Sequence, residues 1–294
     1  MFDLRYHVAS LAAVFLALII GILVGVGISS QTDVSKSQLR LLERQLADAQ
    51  QAKNDSAATA DLLRRQQTAA TDYIEDRSYD AVMNGRLRGK RVALLFIGQT
   101  DRGLAAATAK TLSDASGPPL ARMRALELPI DPAAIRAALP PELATLSLED
   151  VGRRLGEELV NGGDTPLSDA LAPVLVTDSQ GGNGPAADAV VLAQTRHLAH
   201  GPTQRFVAGL YAGLAGAGVP AVGIEPTDAR PSRVPLYKSR RLSTVDSVDT
   251  TLGRVALAML LAGGQPGQYG LKASATDGVT PPIDPLPLAP PPGG

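Results

Sequence analysis

Few residues in this chain have the chemistry to hold a metal. His197 and His200 stand three apart, a spacing that would place both imidazoles on one helical face, and imidazole is the commonest protein ligand for transition metals. The chain has three histidines, four methionines and no cysteine. The soft sulfur that copper(I) prefers is therefore confined to Met1, Met83, Met123 and Met259, which are scattered. Two imidazoles do not make a complete site, so carboxylates or a second subunit would have to supply the rest. The simpler reading is a histidine pair at the surface. The absence of cysteine excludes disulfides, zinc–thiolate sites, iron–sulfur clusters and a thiol nucleophile. No motif requires a cofactor.

Catalytic motifs are incomplete. The loop Gly98-Gln99-Thr100-Asp101-Arg102-Gly103 follows an apolar run, where α/β folds place their ligands. It lacks both GxGxxG and the Gly-Lys-Ser/Thr of a phosphate-binding loop. Thr177-Asp178-Ser179-Gln180-Gly181 holds half of a G-x-S-x-G nucleophile elbow, with a glycine-rich turn after it in place of a helix. We therefore expect no enzyme activity. The densest unusual stretch is Ser243-Thr244-Val245-Asp246-Ser247-Val248-Asp249-Thr250-Thr251, leading to Gly253. Asp249 and Thr250 can cap a following helix and Asp246 can close an Asx turn, so structural roles account for Asp246, Asp249 and Gly253. A cation or a partner's arginine could also meet the two carboxylates.

The elements that carry these residues divide the chain into four parts. Val8–Ile28 holds no charge and spans ~31 Å at helical rise, which predicts a transmembrane signal anchor over residues 1–29. A cleaved signal peptide is the alternative, but the apolar run is about twice an ordinary signal core. Gly21 and Gly25 form a GxxxG that would let two such helices dimerise. Lys36, Arg40 and Arg44 follow the run and Arg5 precedes it, which leaves the orientation open, because a large following domain weakens the charge rule. Between Ile28 and Asn84 there is no Gly or Pro, which predicts a helical stalk over 30–85 with a weak coiled-coil seam beginning Leu39, Leu42, Leu46. A homodimeric stalk and a solvated spacer helix both fit, and a long polar helix favours the dimer.

After Gly85 the texture changes. Arg91–Ile97 reads as a buried parallel strand, followed by a helix over Leu104–Leu112 and a strand over Leu120–Leu126. Asp131-Pro132 and Ser147 read as helix starts. Val174–Thr177, Asp188–Leu192 and Ala221–Ile224 read as strands, and Gln204–Leu214 and Thr251–Leu261 as helices. The expected fold class is α/β: a transmembrane helix, a coiled-coil stalk, and a mostly parallel α/β sandwich over 89–274, with a disordered Pro-rich tail over 275–294. A net charge of -1 and 3% aromatic residues argue against a nucleic-acid partner.

The opening FDLRYHVASLAAVFLALIIGILVGVG, the polar helix, and the closing S-T-V-D-S-V-D-T-T-L-G-R-V-A-L with Gly267-Gln268-Tyr269-Gly270 resemble the actinobacterial membrane protein family named for the copper transporter MctB. The resemblance covers nearly the whole chain. It implies a single-pass protein of the cell membrane and envelope, with its bulk outside the cytoplasm and a role in copper transport or homeostasis. An outer-membrane pore would need a closed barrel of alternating strands, and nothing after Gly85 has that pattern. The residues themselves fit a second reading equally: a non-catalytic dimeric scaffold that presents an α/β domain to partners in the envelope.

Overall fold

The computed structural model describes residues 4–28, 40–61, 63, 79–198 and 200–283. The chain divides into two compact units, Met1–Ala70 and Thr71–Gly294. In the first, α1 spans Leu4–Ile28 and α2 covers residues 40–61. The described side chains of α1 run from Leu11 to Ile22, with Val24 beyond, and are exposed. Among the described residues no helix is long and apolar enough to cross a membrane. On α2, Leu41, Leu42 and Leu46 are 56%, 59% and 65% exposed.

The second unit begins with α3 (Tyr79–Met83), which packs its Tyr79 and Met83 into the core. A seven-stranded sheet follows in the order β3-β2-β1-β4-β5-β6-β7, with β1 Val92–Ile97, β2 Arg122–Leu126, β3 Val176–Gln180, β4 Ala189–Gln194, β5 Ala221–Ile224, β6 Ser243–Val245 and β7 Gln268–Tyr269. All neighbouring pairs are parallel except β2 and β3, which run antiparallel. The sheet is mixed, with β3 at one edge.

Both faces of the sheet are covered, which is why β1 is apolar throughout and β4 up to its last residue, Gln194. Leu94 and Phe96 point to the layer of α3, α4 (Arg102–Asp114) and α10 (Thr251–Leu261). Ala93, Leu95 and Ile97 point to the layer of α5 (Pro132–Ala138), α6 (Leu148–Asn161), α7 (Pro166–Leu175), α8 (Pro202–Gly216) and α9 (Val234–Ser239). The start of the sheet is tied by Arg91, which donates its backbone N–H and guanidinium to Asp188 just before β4. That hydrogen bonding holds the Asp188 carboxyl below the usual carboxylate range.

These findings correct the expected fold class. Among the described residues no helix is long and apolar enough to cross a membrane and no long coiled-coil stalk is present, and the sheet is mixed because β3 returns antiparallel. The chain reaches β3 from β2 through α5, α6 and α7, and α7 runs directly into the strand at Val176. Val174, read from the sequence as a strand start, lies in α7. Residues 29–39 and 64–78 of the expected stalk, Leu39 among them, and the tail from 284 onward lie outside the described residues.

The closest packing is between α6 and α8. A Cβ at Gly209 would fall on the carbonyl oxygen of Glu149, one at Gly213 on that of Arg153, and one at Gly152 on that of Phe206. The two backbones touch because neither carries a side chain at the crossing. Gly213→Ala is expected to lower the free energy of unfolding by ~1–3 kcal/mol in urea titrations, as overpacking does. Gly216→Ala, where nothing lies within 4 Å of the added carbon, should be neutral or slightly stabilising.

Candidate functional site

Strand order places the candidate site. From β1 the chain moves outward to β2 on one side, and from β4 outward to β5, β6 and β7 on the other, so the topological switch point lies between β1 and β4. Ligands of open α/β sheets bind at the carboxyl ends of the strands flanking that point. Here the loops after β1 and β4 meet: Thr195 Oγ1 donates to the Gln99 carbonyl at 2.7 Å, and Thr195 N to that of Ile97 at 3.1 Å. Gly98, at φ +113, permits the approach, since a Cβ there would sit 2.7 Å from Thr195 Oγ1. A cavity of about 370 Å³ opens between the loops, lined by Gln99, Thr100, Asp101, Thr195 and Arg196. Asp101 caps α4, its Oδ1 accepting from Leu104 N at 3.0 Å.

His197 and His200 lie one step further along. They belong to the loop between β4 and α8, not to a helical face, because α8 starts only at Pro202 after Gly201. The loop nevertheless brings both to one cavity of about 270 Å³, with Gln194, Gln204, Tyr211, Arg233 and Arg240 around it. Arg233 Nη1 lies 3.2 Å from His197 Nδ1, and His200 Nδ1 lies 3.1 Å from Gln204 Oε1. A guanidinium can only donate, so the His197 Nδ1 lone pair is engaged and its ring proton sits on Nε2. Among the described residues no group of three His, Cys, Asp or Glu side chains comes together for a metal.

The floor of this cavity is a buried polar chain. Tyr211 Oη donates to Gln194 Oε1 at 2.7 Å, Gln194 Nε2 donates to the Arg196 carbonyl at 2.9 Å, and Tyr237 Oη accepts from Gln194 N at 2.7 Å. The two rings meet edge to face with centroids 6.1 Å apart. Burial pushes both phenols up, so they stay protonated donors at any physiological pH.

The Ser243–Thr251 stretch resolves into a clasp. Its first three residues are β6, and Asp246 is fully buried directly after it. Asp246 Oδ1 accepts from Leu271 N at 2.6 Å and from Ser247 Oγ at 2.9 Å, and both its oxygens accept from Lys272 N at 3.2 Å. Gly270, at φ +140, passes so close that a Cβ would collide with the Asp246 carboxylate. The clasped segment then sends Lys272 Nζ to the buried Glu225 Oε1 at 2.8 Å and to the Pro226 carbonyl at 2.7 Å. Asp246 therefore closes no Asx turn; its partners lie far downstream, which no local pattern could reveal. Asp249 accepts from Thr227 N and Oγ1, Thr250 caps α10, and a Cβ at Gly253 would fall on the Ser247 carbonyl.

The remaining sequence candidates belong to other elements. Ser179 lies on the exposed strand β3 opposite Arg124. Gly21 and Gly25 fall within α1, with open space around Gly21. Leu42 and Leu46 stand exposed on α2. The residues that sequence reasoning missed are Gln194, Glu225, Arg233 and Lys272, whose only signal was a polar residue at the end of an apolar strand in the first two cases.

A family model described as copper transport outer membrane protein, MctB, matches residues 1–281. Curated relatives called copper transporter MctB, from Mycobacterium bovis and from two strains of Mycobacterium tuberculosis, are 27% identical over 317 residues, covering 92% of this chain and 96% of theirs.

Removing the Asp246 carboxylate would strand three backbone and side-chain donors in the core. Asp246→Ala should cost about 3 kcal/mol or more of unfolding free energy, measured by chemical denaturation, and Asp249→Ala, at an exposed position, about 1 kcal/mol.

Proposed function

The chain belongs to the MctB family, and from that premise we propose that it serves copper homeostasis at the cell envelope, by binding and not by catalysis. The observation that carries this reading is the family match, which embraces the α/β unit together with the N-terminal helices. The relatives' name supports copper as the cargo. The open edges of the seven-stranded sheet, β3 and β7, support a binding domain and not a channel wall for this part of the chain.

His197 and His200 are the contacts we assign to copper, since they share one cavity at the carboxyl ends of the strands. The guanidinium of Arg233 opposes the metal there, both by its charge and by occupying His197 Nδ1. Titration of the full-length chain with copper(I) under anaerobic conditions, and with copper(II) in air, against a competing chelator should show binding that disappears in H197A/H200A. The same titration should show several-fold tighter binding in Arg233→Gln. Failure to compete in either oxidation state would remove direct copper contact from this domain.

A second reading is favoured by α2. Leu41, Leu42 and Leu46 leave more than half of each side chain in water, which is costly for three leucines within two turns. A second copy, or a partner protein of the envelope, would cover them, and the α/β unit would then be presented by a non-catalytic scaffold. Light scattering on the full-length chain should give a dimer mass that falls to a monomer in L42E/L46E; an unchanged mass would set this reading aside.

A further inference from the structure

The crevice at the switch point continues into a second cavity of about 180 Å³. The two share Asp101 and Thr195, and the second adds Gln194, Glu225, Arg230 and Arg233. The result is one trough along the carboxyl ends of β1, β4 and β5, with Arg196, Arg230 and Arg233 on its walls. None of these three guanidiniums pairs with a carboxylate among the described residues. Arg196 Nη1 donates to the Leu128 carbonyl at 2.6 Å, Arg230 Nη1 to those of Ala229 and Thr227, and Arg233 Nη1 lies against His197.

The acidic groups in the trough offset them only in part. Glu225 is buried and fully engaged, with Oε1 accepting from Ser232 Oγ and Lys272 Nζ and Oε2 from Arg233 N. Its charge is neutralised by Lys272. Asp101 is turned to the α4 N-terminus as its cap. Three cations thus share one crevice with the single carboxylate of Asp101, on loops that are held in place at the backbone. The Arg196 carbonyl is held by Gln194 and the Arg233 N–H by Glu225. Guanidinium forks on anchored loops favour a planar anion that accepts two parallel hydrogen bonds.

We propose that this trough is a binding site for a small polycarboxylate. Carboxylate is preferred to phosphate for a structural reason. At the α4 N-terminus, where a phosphate would sit, Asp101 places a carboxylate that already takes the Leu104 N–H, and the loop lacks the glycine pattern that lets backbone amides wrap a phosphate. The trough shares Gln194 and Arg233 with the histidine cavity, but its binding of an anion needs no metal.

The test is calorimetry on the full-length chain in metal-stripped buffer, with tricarballylate, succinate and inorganic phosphate as probes. Tricarballylate should bind saturably, more tightly than succinate or phosphate, with affinity falling as salt rises. R230Q and R233Q should each weaken it about tenfold or more, whereas Arg241→Gln, outside the trough, should leave it unchanged. Thermal melts of the ligand-free variants within a few degrees of the parent would establish that they fold. No saturable binding of tricarballylate, tighter binding of phosphate, or equal loss in Arg241→Gln would each overturn the assignment. Because no copper is present, the outcome is separate from that of the metal titration.

Discussion

The structure of the candidate site depends on one buried carboxylate. Asp246, sealed from water at the end of β6, holds the backbone of Leu271 and Lys272. That hold delivers Lys272 to Glu225, and the Glu225 carboxylate in turn fixes Ser232 and the backbone of Arg233. A buried ion pair such as Glu225 with Lys272 stabilises little relative to apolar packing, and its loss on one side is costly. Its value here is geometric: the loop 226–233 cannot wander while both ends of the pair are clasped. The wall of the trough is thus set by a residue that never touches it.

This dependence explains what was legible in the sequence and what was not. Where the signal is local, sequence and structure agree closely. Ala221–Ile224 and Thr251–Leu261 have the same bounds in both, and Asp131, Ser147 and Thr250 cap the helices they precede. Continuous apolar runs marked β1 and β4 because both sheet faces are covered. Where the partner lies far along the chain, the local pattern misled. Asp246 looks like a turn former because turn residues surround it, yet its acceptors serve an approach from residues 271 and 272. β6 is three residues long and only Val245 is a clear strand former, so it was hidden among caps. Val174 was taken for a strand because α7 carries Pro173 and branched residues up to its end.

The arginines of the trough show the same limit. Positions 196, 230 and 233 have no motif spacing, and only the return of β4 and β5 to neighbouring places brings them to one edge. The histidine pair was visible, but its setting was not. Arg233 comes from the loop before α9 and turns what looked like a metal-ligand spacing into a cavity where a cation must compete with a guanidinium. The histidine cavity therefore lies in a basic neighbourhood, and the exposed leucines of α2 belong to the other unit.

The proposed copper contact lies at the carboxyl edge of the α/β sheet. Hydrogen–deuterium exchange of the full-length chain, compared with and without copper(I), tests this most directly. Slower exchange in residues 194–201 and 225–240, with residues 40–61 unchanged, is the predicted result. Unchanged exchange along that edge, with slowing confined to the N-terminal unit, would contradict it.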